Sequence, residues 1–267
     1  MQNTAVFCDM DGTLLNSEHR ISSRTQRAIA GLAGRGIPFA VVTSRGIAGT
    51  YPVLELGGVS CTAVTYGGGV ILDEGRNVIF HDGFSRAKAQ EVADFLGAEC
   101  PNVAWIAYSF EDWVSPHRSD PRVRREERVV MAEARAGGVD SIERDEVQKL
   151  LCICDPEGHA RGGASPERAL FPELTVVKSS DILIEVMPAG LSKAGAVRFL
   201  CDHWGVDPAD ALAFGDNYND VPMLEVAGRS YLMGNAPDEL LARMPLHAPS
   251  NDEDGVARVL EELGFVR

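Results

Sequence analysis

The sequence predicts an α/β protein, a Rossmann-like core with a parallel sheet that carries a second, inserted α+β domain. Three observations point there. Short apolar runs alternate with helix-patterned segments over roughly the first 80 residues, that rhythm breaks near residue 83, and it returns after Pro188-Ala189-Gly190.

The elements follow in order. Ala5 to Cys8 is a short apolar strand, and Ser22 or Ser23 is placed to cap a helix in which Ala28, Ile29, Leu32 and Ala33 recur at helical spacing before Gly34 and Gly36 stop it. Phe39 to Val42 is continuously apolar, as a strand covered on both faces requires, and Thr62 to Thr65 offers a third strand after a helical or irregular stretch near Leu54. Val70-Ile71-Leu72 and Val78-Ile79-Phe80 flank Asp73-Glu74-Gly75-Arg76, a hairpin signal. Within the insertion the pattern gives a helix near Arg86 to Ala98, strands near Val103 to Tyr108 and Leu150 to Asp155, a helix near Ser165 to Leu170, and strands near Thr175 to Val177 and Ile182 to Val186. The core then resumes with a helix from Ser192 to Trp204, a strand from Ala211 to Phe214, a helix from Val221 to Val226, a strand from Tyr231 to Met233 and a last helix around Gly255 to Leu263. The expected layout is a core of residues 1–82 and 188–267 interrupted by a domain of residues 83–187.

Composition narrows the function classes. With 267 residues, 45% of them apolar and 24% charged, the chain is an ordinary globular sequence, long enough for two cores. Lys and Arg number 25 against 39 Asp and Glu, and a net charge of −14 disfavours capture of a nucleic-acid backbone. No apolar run reaches the roughly 20 residues of a membrane span, and Met1 to Asp11 lacks the pattern of a signal peptide. A cytoplasmic protein without membrane or nucleic-acid partners is therefore expected. The six cysteines, Cys8, Cys61, Cys100, Cys152, Cys154 and Cys201, show no zinc spacing and read as thiols, with Cys152 and Cys154 on one face of a strand. The six histidines, His117 and His159 among them, show no ligand spacing either. The run from Arg122 to Arg128 reads as a solvated helix face with intrahelical ion pairs, or else as a source of an arginine for an anionic substrate.

Chemistry gathers at strand ends. Asp9-Met10-Asp11-Gly12-Thr13-Leu14 follows the first strand, where loops of a parallel sheet place ligands. Thr43-Ser44-Arg45 ends the second strand, and a hydroxyl there can donate to a phosphoryl oxygen or cap the next helix. Lys193 sits at a helix N-terminus, where a cation opposes the dipole and so invites another explanation. Gly215-Asp216-Asn217-Tyr218-Asn219-Asp220 ends a later strand, and a hard divalent cation, Mg²⁺, would relieve the crowding of Asp9, Asp11, Asp216 and Asp220.

These four segments, in this order, resemble the signature motifs of the haloacid dehalogenase superfamily of phosphohydrolases. The long insertion between Thr43 and Lys193, with Val186 to Lys193 and Met233-Gly234-Asn235-Ala236, is similar to the Cof-type branch, subfamily IIB, whose inserted domain is a C2-type cap. The resemblance implies that Asp9 is the nucleophile, Asp11 the general acid and base, and Thr43 and Lys193 the groups on the transferring phosphoryl. It further implies Mg²⁺ held by Asp9, the Asp11 carbonyl and Asp216, with Asp220 ligating or orienting, while Ser44, Arg45 and Asn219 complete the phosphate pocket or orient its acids. The implied activity is a Mg²⁺-dependent phosphatase for small phosphorylated metabolites, sugar phosphates foremost, and the second Asp favours phosphate esters over dehalogenation. A hexose-phosphate mutase and a non-catalytic phosphosugar-binding regulator are the alternatives; oligomeric state is not readable. Two departures stand out: Tyr66-Gly67 occupies the place of the branch's usual Asn-Gly, and Arg243 that of a frequent lysine.

Overall fold

The computed structural model describes residues 4–154, 171–179 and 182–266. It divides into two compact units, one of Met1–Ser44, Thr50–Phe80 and Ser192–Arg267, the other of Arg45–Gly49 and His81–Leu191.

The chain begins with β1 (Val6–Cys8), α1 (Ser23–Ala33), β2 (Phe39–Val42), α2 (Ile47–Leu56), β3 (Thr62–Thr65), β4 (Val70–Leu72) and β5 (Val78–His81). The Ser22 hydroxyl accepts the Thr25 N–H at 3.1 Å, starting α1 as its sequence requires. Ala28, Ile29 and Leu32 face inward, whereas Ala33, grouped with them by spacing, is exposed. Every residue of β1, β2 and β3 is buried, because apolar layers cover both faces. Val6 and Cys8 join a core with Ile29, Leu32, Phe39 and Val41, and Phe7 joins the opposite one with Ala40, Val42 and Val64.

The second unit contains α3 (Arg86–Glu99), β6 (Ala104–Ser109), β7 (Asp112–Ser115), α4 (Pro121–Val130), β8 (Arg135–Ala136), β9 (Lys149–Ile153), β10 (Leu174–Lys178) and β11 (Leu183–Pro188). Its six strands run β10-β11-β9-β6-β7-β8, antiparallel except for β7 with β8. Ala89, Val92 and Leu96 of α3 pack with Trp105, Ala107, Val114, Leu150 and Val186, the alternate residues of one sheet face. The helix expected near Ser165 to Leu170, with Asp155 and His159, lies outside the described residues.

One strand is new and two expectations for this unit change. Strand β7 has no clear mark in the sequence, since only Trp113 and Val114 of its four residues are apolar. Cys154 lies past the end of β9, its N–H donating to Ile182 O at 2.8 Å, although it is buried like Cys152. The Arg122–Arg128 run is not simply a solvated face of intrahelical pairs. Arg124 does pair with Glu127, but Arg122 turns back to the helix-capping Asp120 and to the Asn102 carbonyl. Glu127 is buried and accepts the Ala134 N–H at 2.9 Å, so it anchors the segment that follows α4. The six cysteines form no disulfide.

The first unit resumes with α5 (Lys193–Trp204), β12 (Leu212–Gly215), α6 (Val221–Val226), β13 (Arg229–Met233), α7 (Asp238–Leu241), β14 (His247–Ala248) and α8 (Gly255–Glu262). Its sheet order is β14-β13-β12-β1-β2-β3-β4-β5, parallel from β14 through β3 and antiparallel where β3 meets β4. Cys8 lies opposite both Val41 and Phe214, so the residues just beyond β1, β2 and β12 emerge side by side.

Candidate active site

At that shared edge Asp9 follows β1, with its N–H bonded to Phe214 O at 3.0 Å. Asp216 follows β12, and Asp220 is the N-cap of α6. Carboxylate oxygens of Asp9, Asp216 and Asp220 all lie within 4.8 Å of one another. Lys193, the first residue of α5, is 4% exposed. Its Nζ donates to Asp9 Oδ1 and, at 2.6 Å, to Asp220 Oδ1. The helix-start misfit in the sequence thus has a local answer: two carboxylates outweigh the dipole.

Asp220 is fully buried and fully used. Its second oxygen accepts the N–H groups of Asp216 and Asn217, each at 3.0 Å, which fixes the loop after β12. Thr13, also buried, donates its hydroxyl to Asp216 Oδ1 at 2.8 Å. Gly12, at φ +80°, leaves the space into which Asp216 packs; a Cβ there would stand 2.8 Å from the Asp216 carboxyl carbon.

Three acids thus face one ammonium. Burial pushes the Asp9 carboxyl well above the usual range, against the opposing pull of Lys193 and with further upward push from Asp220. Asp216 is pushed up to about 6, first by burial and then by Asp220, although the Thr13 hydrogen bond and Lys193 pull the other way. Burial alone would lower Lys193, but the charges of Asp9 and Asp220 dominate and hold it above its ordinary value. A donor set of hard oxygens with uncompensated negative charge fits a divalent cation such as Mg²⁺.

The other expected residues follow β1, β2 and β12 in the chain. Asp11 is exposed on the loop and its carboxylate is not in the group of three. Thr43 is buried just beyond β2; its N–H bonds Val64 O and its carbonyl accepts the Gly67 N–H, each at 2.9 Å. Ser44 is half-buried beside it. Arg45 donates to the Gly49 carbonyl at 3.0 Å, and Asn219 is exposed on the loop before Asp220. Tyr66, in the position of the expected Asn, is 1% exposed and has φ 55°, a left-handed conformation that asparagine tolerates far better. Sequence reading passed over Thr13 as a partner of Asp216. The signal was its place in the loop, but only the long-range fold reveals what its hydroxyl meets.

The family model for haloacid dehalogenase-like hydrolases matches residues 6–260. The chain belongs to that family. A Haemophilus influenzae protein whose name places it among phosphatases is 33% identical over 265 residues, covering 98% of both chains. The 5-amino-6-(5-phospho-D-ribitylamino)uracil phosphatase YwtE of Bacillus subtilis is 28% identical and matches 97% of each chain. Among solved structures, a haloacid dehalogenase-like hydrolase from Bacteroides thetaiotaomicron superposes with a TM-score of 0.86 at 23% identity, covering 97% of this chain and 99% of its own. The subclass IIB sugar phosphatase BT4131 superposes with a TM-score of 0.80 at 21% identity, covering 98% of this chain and all of its own (100%). These likenesses show the haloacid dehalogenase fold, and this hydrolase has its parallel-sheet core with an inserted α+β unit.

Proposed function

We propose that this haloacid dehalogenase-like hydrolase is a phosphatase that cleaves small phosphorylated metabolites, sugar phosphates foremost, with Mg²⁺ and through an aspartyl-phosphate. The observation that carries the reading is the contact of the Lys193 ammonium with Asp9 inside a cluster of three carboxylates, two residues before a second acid at Asp11. Phosphatase-named relatives that match nearly the whole chain support the reaction class.

In this reading Asp9 attacks phosphorus while the bond to the ester oxygen breaks, and Asp11 gives that oxygen its proton. Asp11, now a carboxylate, takes a proton from water; the water oxygen attacks the aspartyl-phosphate, which releases phosphate and restores Asp9. Lys193 and the Thr43 hydroxyl hold phosphoryl oxygens, and Lys193 also keeps Asp9 aimed. Asp9, Asp216 and the Asp11 carbonyl would hold Mg²⁺, and Asp220, whose oxygens are already engaged, fixes Lys193 and the Asp216 loop. When bound, the ion supplies positive charge to offset the phosphoryl oxygens. Ser44, Arg45 and Asn219 are given no step. To the insertion, residues 83–187, we assign selection among leaving groups.

No helix among the described residues is long and apolar enough to cross a membrane, and thiols without disulfides agree with a reducing compartment such as the cytoplasm. The test is a screen of phosphorylated metabolites at fixed Mg²⁺, read as free phosphate, alongside Asp9→Asn. Phosphate release by the wild type and none by the variant is expected. Equal release by the variant refutes the covalent route, and isomerised hexose phosphate without free phosphate refutes the hydrolase reading.

A further inference from the structure

Asp11 is exposed on its loop, and one determinant of its aim is what fixes the loop backbone. Locally, Leu14 and Leu15 donate their N–H groups to Asp9 O and Met10 O, at 3.2 and 2.9 Å. Beside the Thr13–Asp216 hydrogen bond, further ties come from the far end of the chain. Asn235, just past β13, donates its amide to Gly12 O at 2.8 Å. Its own carbonyl oxygen accepts the Asn251 N–H at 3.0 Å, and the Asn251 amide donates to Leu15 O at 2.8 Å. Asp252 then accepts the Ser17 N–H at 2.8 Å.

The two asparagines therefore form a bracket over the loop: one side chain on the carbonyl after Asp11, the other on the carbonyl four residues after it, and a hydrogen bond between them. Both stand on ordered ground. Asn235 follows a five-residue strand, and Asn251 opens a turn whose preceding Ser250 exchanges hydrogen bonds with Glu253. We propose that Asn235, backed by Asn251, is a positioning residue that sets the approach of Asp11 to the leaving oxygen. Asn235 is exposed, and an exposed hydrogen bond contributes little net stability, so its value lies in direction. Proton transfer is sensitive to such direction, since a displacement of ~1 Å can cost ~10²-fold in rate.

The proposal rests on the phosphatase reading above, and a leaving-group comparison separates the two. Asn235→Asp keeps the acceptor for Asn251 and loses the donor to Gly12; Asn235→Ala loses both. Each is expected to lower kcat/KM, which reports the steps through aspartyl-phosphate formation, by ~10–100-fold on an alkyl phosphate, whose leaving oxygen needs a proton, and by less than ~3-fold on p-nitrophenyl phosphate, whose leaving group does not. KM for the alkyl phosphate and the melting temperature should hardly move. Equal losses on both substrates, or none on either, overturn the proposal. Hydrogen exchange of the peptide spanning residues 10–17 reads the bracket without catalysis: in Asn235→Ala faster exchange is expected there and at the Asn251 amide that loses its acceptor, and unchanged exchange of residues 10–17 overturns the proposal. A wild type that releases no phosphate defeats the phosphatase reading alone, and the exchange experiment still decides the bracket.

Discussion

Lys193 Nζ lies 2.6 Å from Asp220 Oδ1, a contact buried on both sides, and the other oxygen of Asp220 holds two backbone N–H groups of the loop that carries Asp216. Asp220→Asn should therefore damage two things at once. The amide must direct its N–H₂ at either the ammonium or the N–H pair, which leaves a buried mismatch of about 1–3 kcal/mol. Chemical denaturation in EDTA should show that loss, and kcat should fall at least ~10-fold. Wild-type stability and activity in the variant would mean that Asp220 is dispensable to the cluster.

The raised carboxylates set the sign of the pH response without metal. Asp216 titrates near 6 when folded against 3.8 as its reference, so the native state binds more protons than the unfolded chain between those values. Stability is then present at low pH and lost as pH rises through this window, remaining lower above it. Mg²⁺ binds the charged form, so its increase in melting temperature should be larger near pH 7.5 than near pH 5. A scanning thermal melt with and without Mg²⁺ checks this, and a gain independent of pH would contradict it.

Gly12→Ala brings a methyl against the Asp216 carboxyl at a backbone φ of +80°. The conformation alone costs an L-residue about 1–2 kcal/mol. The larger effect should fall on the site: weaker Mg²⁺ binding by calorimetry and a loss of activity of ~10²-fold, as expected for misplaced reacting groups.

Tyr66 sets two effects against each other. Asn at this position would relieve the left-handed backbone by about 1 kcal/mol, but it would empty the space of a side chain that is 1% exposed. Removing a buried aromatic typically costs about 3–5 kcal/mol, so Tyr66→Asn should be net destabilising in urea. A stabilised variant would show that strain outweighs packing here.

Much of the core was legible because burial on both faces favours short runs of apolar and β-branched residues: β2 and β3 coincide with Phe39–Val42 and Thr62–Thr65. The haloacid dehalogenase motifs were legible for a related reason, since a parallel sheet sends each strand-end residue to one edge. What stayed hidden depended on partners far along the chain. The Thr13 hydroxyl on Asp216 and the Asn235 amide on Gly12 span intervals that no local pattern encodes. The insertion was less legible because its segments are short: β7 buries three of four residues but only two are apolar, and the two-residue edge strand β8 is exposed throughout, so neither leaves a periodic pattern.

The strand order puts β1 between β2, which follows it closely, and β12, which is made much later. During translation Asp9 can acquire one neighbouring strand early, yet Asp216, Asp220 and Lys193 do not exist until most of the polypeptide has left the ribosome. The cluster of buried charge can therefore be completed only late, after a chain long enough to shield it has been synthesised, and a nascent product that ends before Lys193 carries Asp9 and Asp11 without the ammonium and the later acids.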